Sequence, residues 1–234
     1  MGAIFKRELK SYFSSPVGYV CVAAIAAIYG FFYYNVMLTG SSSYITSAYS
    51  SIYLFGMMII PVITMKSMSE DRKNKTDQAL LTAPVGVTSI VLGKFLGAYM
   101  VYIIASTLGL VPAVVLEFMG NPPWGIVMGN YIATLLYGGA MVSIGVFISS
   151  LTVSQVIAAI STFIVSVALM YVSSITSSLS GTTAGKIIEF LSFSTRYNVF
   201  TTGIFSIANC VYFISVMAVF VFLTARKLES RRWS

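Results

Sequence analysis

The sequence predicts an all-α integral membrane protein with six transmembrane helices, on three observations. The 234-residue chain is 57% hydrophobic and only 9% charged, where an ordinary soluble domain carries about 25% charged residues. It contains six long apolar runs, at residues 17–38, 44–65, 95–116, 124–151, 153–179 and 205–225, with no Asp, Glu, Lys or Arg in any of them. Its basic residues fall in short clusters between those runs rather than on one stripe. Each run is long enough to cross a bilayer, which needs about 20 apolar residues, and in lipid only a helix satisfies the backbone internally.

The ends and connections follow from charge and from helix breakers. The first run comes after a basic start, as in a signal peptide, but it exceeds the apolar core of about 7–15 residues typical of a cleaved signal and is expected to be retained. Lys6, Arg7, Lys10, Lys66, Arg72, Lys73, Lys75, Lys94, Arg226, Lys227, Arg231 and Arg232 all fall on one side, leaving only Lys186 and Arg196 on the other. By the positive-inside rule both termini are cytoplasmic. Residues 39–43 and 120–123 are short Ser/Gly and Asn-Pro-Pro connections. Residues 66–94 form a polar cytoplasmic loop long enough for a helix, and 180–204 an external segment mixing Gly, Ser and Thr with apolar stretches. The whole chain, 1–234, reads as a single transmembrane domain without an internal repeat of the kind that marks inverted-repeat transporters.

Two cytoplasmic stretches hold most of the remaining information. In residues 1–15, Phe5, Leu9, Tyr12 and Phe13 recur at helical spacing opposite Lys6, Arg7 and Lys10, the pattern of an amphipathic helix in the membrane interface; a plain positive-inside anchor fits it equally. In the 66–94 loop, 77–82 is helix-compatible, with Pro84 and Gly86 as its stop. Asp77 and Gln78 beside Leu80 and Leu81 have the mixture needed to seat in a protein groove, while a solvated charge run is the plainer alternative.

Several chemistries lack their parts. A net charge of +7 suggests nucleic acid, but the basic residues are dispersed by topology and no basic face forms. Cys21 and Cys210 lie in apolar runs and the chain has no His, so neither zinc nor a disulfide framework is indicated. Gly93-Lys94 superficially matches a phosphate loop, but the first Gly position is Thr88 and Phe95 follows the Lys, so the nucleotide cradle is missing. Proton-coupled transport is disfavoured by spans without acids, Glu117 standing at the outer end of the third. A catalytic constellation is likewise missing. Ser161, Thr162, Ser166, Gly138 and Gly139 read as helix-packing residues, and Tyr29, Tyr33, Tyr34, Tyr44, Tyr49 and Tyr53 as an interfacial aromatic belt.

Four stretches in order, KRELKSYFSSPVGYV, MSEDRKNKTDQALLTAPVGVTSIVLGKFLGA, GVFISSLTVSQVIAA and VYFISVMAVFVFLTARKLESRRW, resemble the type-2 ABC exporter permeases, and most closely their gliding-motility-associated branch. The resemblance implies a permease in the cytoplasmic (inner) membrane, paired with a second copy or a paralogue and bound to two ATPase subunits that carry ATP and Mg, with room for an auxiliary subunit. No cofactor is implied for this chain. By the same resemblance 1–15 corresponds to the interfacial connecting helix, and 180–204 to an external re-entrant helical element. Glu70, Asp71, Asp77, Gln78, Leu80, Leu81 and Thr82 belong to the coupling helix that meets the ATPase. In the family the first and fifth spans form the dimer seam and substrate passes between protomers. Spans free of charge favour an amphipathic or apolar cargo, such as a peptide, lipid or drug.

Overall fold

The structure, a computed structural model, describes residues 1–39, 43–82, 85–118, 122–178, 192–201, 203 and 205–232. Among these every regular element is a helix: α1 (Gly2–Ser14), α2 (Pro16–Thr39), α3 (Ser43–Lys73), α4 (Thr76–Thr82), α5 (Val87–Leu108), α6 (Leu110–Glu117), α7 (Trp124–Leu151), α8 (Gln155–Ser178), α9 (Phe193–Thr201) and α10 (Ile207–Arg232). Among the described residues six stretches are long and apolar enough to cross a membrane: Pro16–Asn35, Ile45–Lys73, Val87–Glu117, Trp124–Leu151, Gln155–Val172 and Ile207–Arg231.

The helices start and stop where the backbone chemistry requires rather than where charge begins. Pro16 opens α2 at the first helical position, where a missing N–H is harmless. Ser154 caps α8, its hydroxyl accepting the Ile157 N–H at 3.4 Å. Helix α3 runs on past residue 65 to Lys73 and stops at Lys75, whose φ of 57° is left-handed. The third span begins at Val87, not at residue 95, so Lys94 lies inside it and is buried. The charge-free window misplaced this boundary because a paired lysine does not end a helix. That span also breaks at Gly109 into α5 and α6. Pro112 gives the reason, since it has no N–H for the Leu108 carbonyl and its ring crowds that carbonyl.

Helix α7 is the centre of the bundle, with 72% of its apolar window buried against 17% for α8. Gly138 makes its contact with α5 possible: a Cβ there would stand 1.9 Å from the Tyr102 ring. The expected aromatic belt is instead largely interior. Tyr29, Tyr33, Tyr49 and Tyr53 are at most 8% exposed and join Tyr102, Tyr137 and Tyr197 in the core. Tyr34 does face outward, and the Tyr44 side chain lies outside the described residues. The stripe Cys21, Ile25, Tyr29 and Tyr33 recurs every fourth residue, which turns one face of α2 inward. Residues 180–191, nearly half of the expected re-entrant segment 180–204, lie outside the described residues, as do 202 and 204. The following stretch forms α9, whose Phe193, Tyr197, Phe200 and Thr201 are buried.

Candidate functional site

Charge gathers at one end of the bundle, where α1, α4, the end of α3, the start of α5 and the end of α10 meet. Its centre is Lys94, only 2% exposed. Its Nζ lies 2.9 Å from Glu8 Oε1, 2.5 Å from Asp71 Oδ2 and 2.6 Å from the Ser67 carbonyl oxygen. A buried ammonium is tolerable only when paired and hydrogen-bonded in this way. Asp71 extends the cluster, its Oδ1 accepting Thr76 Oγ1 at 2.7 Å and Arg7 Nη2 at 3.3 Å. One carboxylate therefore joins α1, α3, α4 and α5.

Helix α1 is seated by shape as well as charge. Gly97 of α5 leaves room for Glu8, since a Cβ at 97 would meet Glu8 Cβ at 2.7 Å. One turn on, the buried Tyr12 hydroxyl donates to the Ile63 carbonyl of α3 at 2.7 Å. Burial first, and the Glu8 charge second, push this phenol well above its ordinary pKa, so it stays a neutral donor. Beside it Lys66 reaches Ser15 Oγ at 3.1 Å and Glu70 at 3.7 Å.

Helix α4 rests over a cleft lined in part by Met68, Ile90, Leu80 and Leu228, with Asp77, Arg72 and Arg231 at its polar wall. Leu80 is half-buried against the core, so in this structure it seats α4 on its own chain rather than standing out for a partner. Residues 77 and 80 share a face of a short helix, and that face is turned inward. Gln78 and Thr82, one turn apart, are exposed; the side chain of Leu81 lies outside the described residues. The floor is the C-terminal end of α7. There the Ser150 carbonyl accepts from Arg72 at 3.5 Å and from Arg231, cations placed at a helix C-terminus. Ser149 Oγ accepts the Met68 and Ser69 N–H groups, each at 3.1 Å.

Of the residues singled out in the sequence, the structure brings Arg7, Tyr12, Glu70, Asp71, Asp77 and Leu80 to this end, in or beside the cluster. Lys6 and Lys10 stay exposed, and Phe5, Leu9 and Phe13 are half-buried. Glu8, Lys94, Ser149 and Arg231 were missed. Glu8 had a usable signal, being the one acid on a basic helix and four residues before Tyr12, on the same face.

Six apolar helices with one charged end define a multi-pass membrane protein. Residues 3–228 match the family model of the ABC-2 family transporter protein, and the chain belongs to that family. A search of curated proteins found no match. The chain is thus an ABC transporter permease, of a family whose members generally work with ATPase subunits.

Proposed function

We propose that this chain is the membrane-spanning permease of an ABC exporter. It works as a dimer with a second copy or a paralogue, driven by two separate ATPase subunits that bind ATP and Mg. In this reading the charged end faces the cytoplasm, as the basic clusters require. The last turn of α3, the turn after it and α4, from Glu70 to Thr82, take up the motion of the ATPase. The observation that carries the reading is the sharing of Asp71 between Thr76 at the head of α4 and the buried Lys94. A push on α4 reaches α3 and α5 through that carboxylate, and α1 through Glu8 and Arg7. Leu80 against Leu228 and Ile90 adds an apolar seat. Gln78 and Thr82 are the groups α4 offers to the ATPase. The basic outer face of α1 meets anionic headgroups of the bilayer. Cargo is amphipathic or apolar, because the network holding charge lies at the cytoplasmic ends of the spans. The sequence motifs resemble those of the gliding-motility-associated branch, and this reading leaves room for an auxiliary subunit.

The test is purification from membranes followed by transport in vesicles. An ATPase should co-purify, the isolated chain should bind no ATP, and transport should need ATP hydrolysis. Transport driven by an ion gradient without any ATPase overturns the reading.

A further inference from the structure

Two lysines on the turn between α3 and α4 take no part in the charged network. Among the described residues the acids of this end are committed elsewhere: Glu8 and Asp71 to Lys94, Glu70 to Lys66 and Glu229 to Arg226. The remaining one, Asp77, lies in the cleft wall with Arg72 and Arg231 and accepts the Gln78 N–H at 3.0 Å. Lys73 and Lys75 are exposed, and no acid among the described residues lies within ion-pair distance of either.

Headgroups do not account for this pair. The charge-free part of the second span ends at Met65, and α3 continues through residues 66–73, a rise of about 12 Å. The headgroup layer on one side of a bilayer is about 5–8 Å thick, so in the orientation of the permease reading Lys73 and Lys75 stand past it, in the cytoplasm. Helix termination does not account for Lys75 either. The stop needs a left-handed residue, with the Asn74 N–H on the Glu70 carbonyl at 2.9 Å and the Lys75 N–H on the Arg72 carbonyl at 3.2 Å. Gly or Asn takes that backbone with least strain, yet the residue at φ 57° is Lys75, with Asn74 just before it. A charge kept at a conformational cost points to a contact that it serves.

The surface around the pair defines what it fits. Gln78 and Thr82 of α4 are exposed and uncharged, so α4 offers a neutral polar face bordered at its start by two cations. We propose that the ATPase subunit of the permease reading, on which this inference rests, receives α4 in a neutral polar groove whose rim carries Asp or Glu side chains opposite Lys73 and Lys75. The lysines steer the two subunits together, since charges at the rim of an interface act mainly on the association rate. Gln78 and Thr82 then seat in the groove.

The experiment uses the full chain in nanodiscs of phosphatidylcholine, which carries no net charge. Its partner is the ATPase that co-purifies with the chain from membranes, identified by mass spectrometry and produced separately. Association is followed by biolayer interferometry. The parent should associate roughly tenfold more slowly at about 300 mM than at about 50 mM KCl, because exposed charges are screened. Lys73→Gln and Lys75→Gly in one chain should slow association at the lower salt about tenfold and flatten the salt dependence. That variant should melt no earlier than the parent, since Gly relieves the left-handed turn. Lys73→Gln alone should give part of the slowing. Lys6→Gln with Lys10→Gln on α1 removes the same charge and should leave association unchanged. Parent-like association of the Lys73, Lys75 variant overturns the proposal. So does equal slowing in the α1 variant, which is an effect of net charge, or slowing only in discs containing phosphatidylglycerol, which assigns the lysines to headgroups. If no ATPase accompanies the parent chain, the permease reading falls and this inference with it; an ATPase bound without salt dependence removes the acidic rim alone.

Discussion

The two ends of this bundle bury polar groups by opposite means. At one end the interior holds full charges, with Lys94 between Glu8 and Asp71 and two arginines on the Ser150 carbonyl at the end of α7. At the other it holds neutral phenols, where Tyr197 donates to the Tyr49 carbonyl at 2.9 Å and the Tyr53 and Tyr137 rings lie 4.6 Å apart. A charge out of water needs a counter-charge at contact distance, so removing one member leaves the rest intolerable. A phenol brings a large apolar ring with a single polar tip, and its loss is felt mainly as packing. The charged end is therefore brittle and all-or-none. The tyrosine end is graded.

Breaking the charged end should have the largest effect. Lys94→Met leaves Glu8 and Asp71 facing each other while largely buried, and is expected to destabilise by about 3–5 kcal/mol. Thermal unfolding measures this, and protease exposure of α1 reports its undocking. Adding Glu8→Gln and Asp71→Asn to the same variant should restore much of the loss. If Lys94→Met alone unfolds no earlier than the parent, the contrast between the two ends fails.

At the tyrosine end the corresponding wound is steric. Gly138→Ala places a methyl against the Tyr102 ring, which calls for about 1–3 kcal/mol of overpacking strain. Tyr102→Leu in the same chain should relieve part of it, since the strain lies in one contact. A smaller effect on stability is expected from Leu80→Ala, about 1–2 kcal/mol for a half-buried leucine, because only the seat of α4 is loosened. Its sharper readout is function: ATPase activity of the complex should persist while transport falls, and the double Leu80→Ala, Leu81→Ala variant should weaken ATPase association as well. Normal transport in the double variant removes α4 from the mechanism. The smallest effect belongs to the exposed pair Arg226 and Glu229, 3.0 Å apart at the surface. Glu229→Gln should change stability by less than about 0.5 kcal/mol, as surface pairs do. That null result shows the brittleness to come from burial rather than from charge itself.

Element type was legible along the chain because it depends on near neighbours. The sixth span was visible as the charge-free run 205–225, although its helix, from Ile207, runs on through charged residues to Arg232, and the stop after α4 was visible as Pro84 and Gly86 in sequence. The limits of the third span were not. The rule that charge ends a span fails at Lys94, whose partner Glu8 is 86 residues away, and no local pattern announces that meeting. The tyrosines failed for a related reason: an aromatic near a span end suits the interface or the core equally, and the neighbouring helix decides. For Tyr29 the decision comes from Gly109, and for Tyr102 from Gly138.

By itself the sequence determined that the protein is helical and multi-pass, because lipid leaves the backbone no partner but itself and that demand is met residue by residue within each segment. It also determined which end gathers the charge, since the basic residues are counted loop by loop without reference to packing. Only the tertiary structure decided that Lys94 lies within a span, that Asp71 joins four helices, that Leu80 turns inward and that the tyrosines fill the interior. Each of those depends on which faces meet across helices far apart in the chain, and that is set by the shapes and charges of the assembled surfaces rather than by any periodicity along one of them.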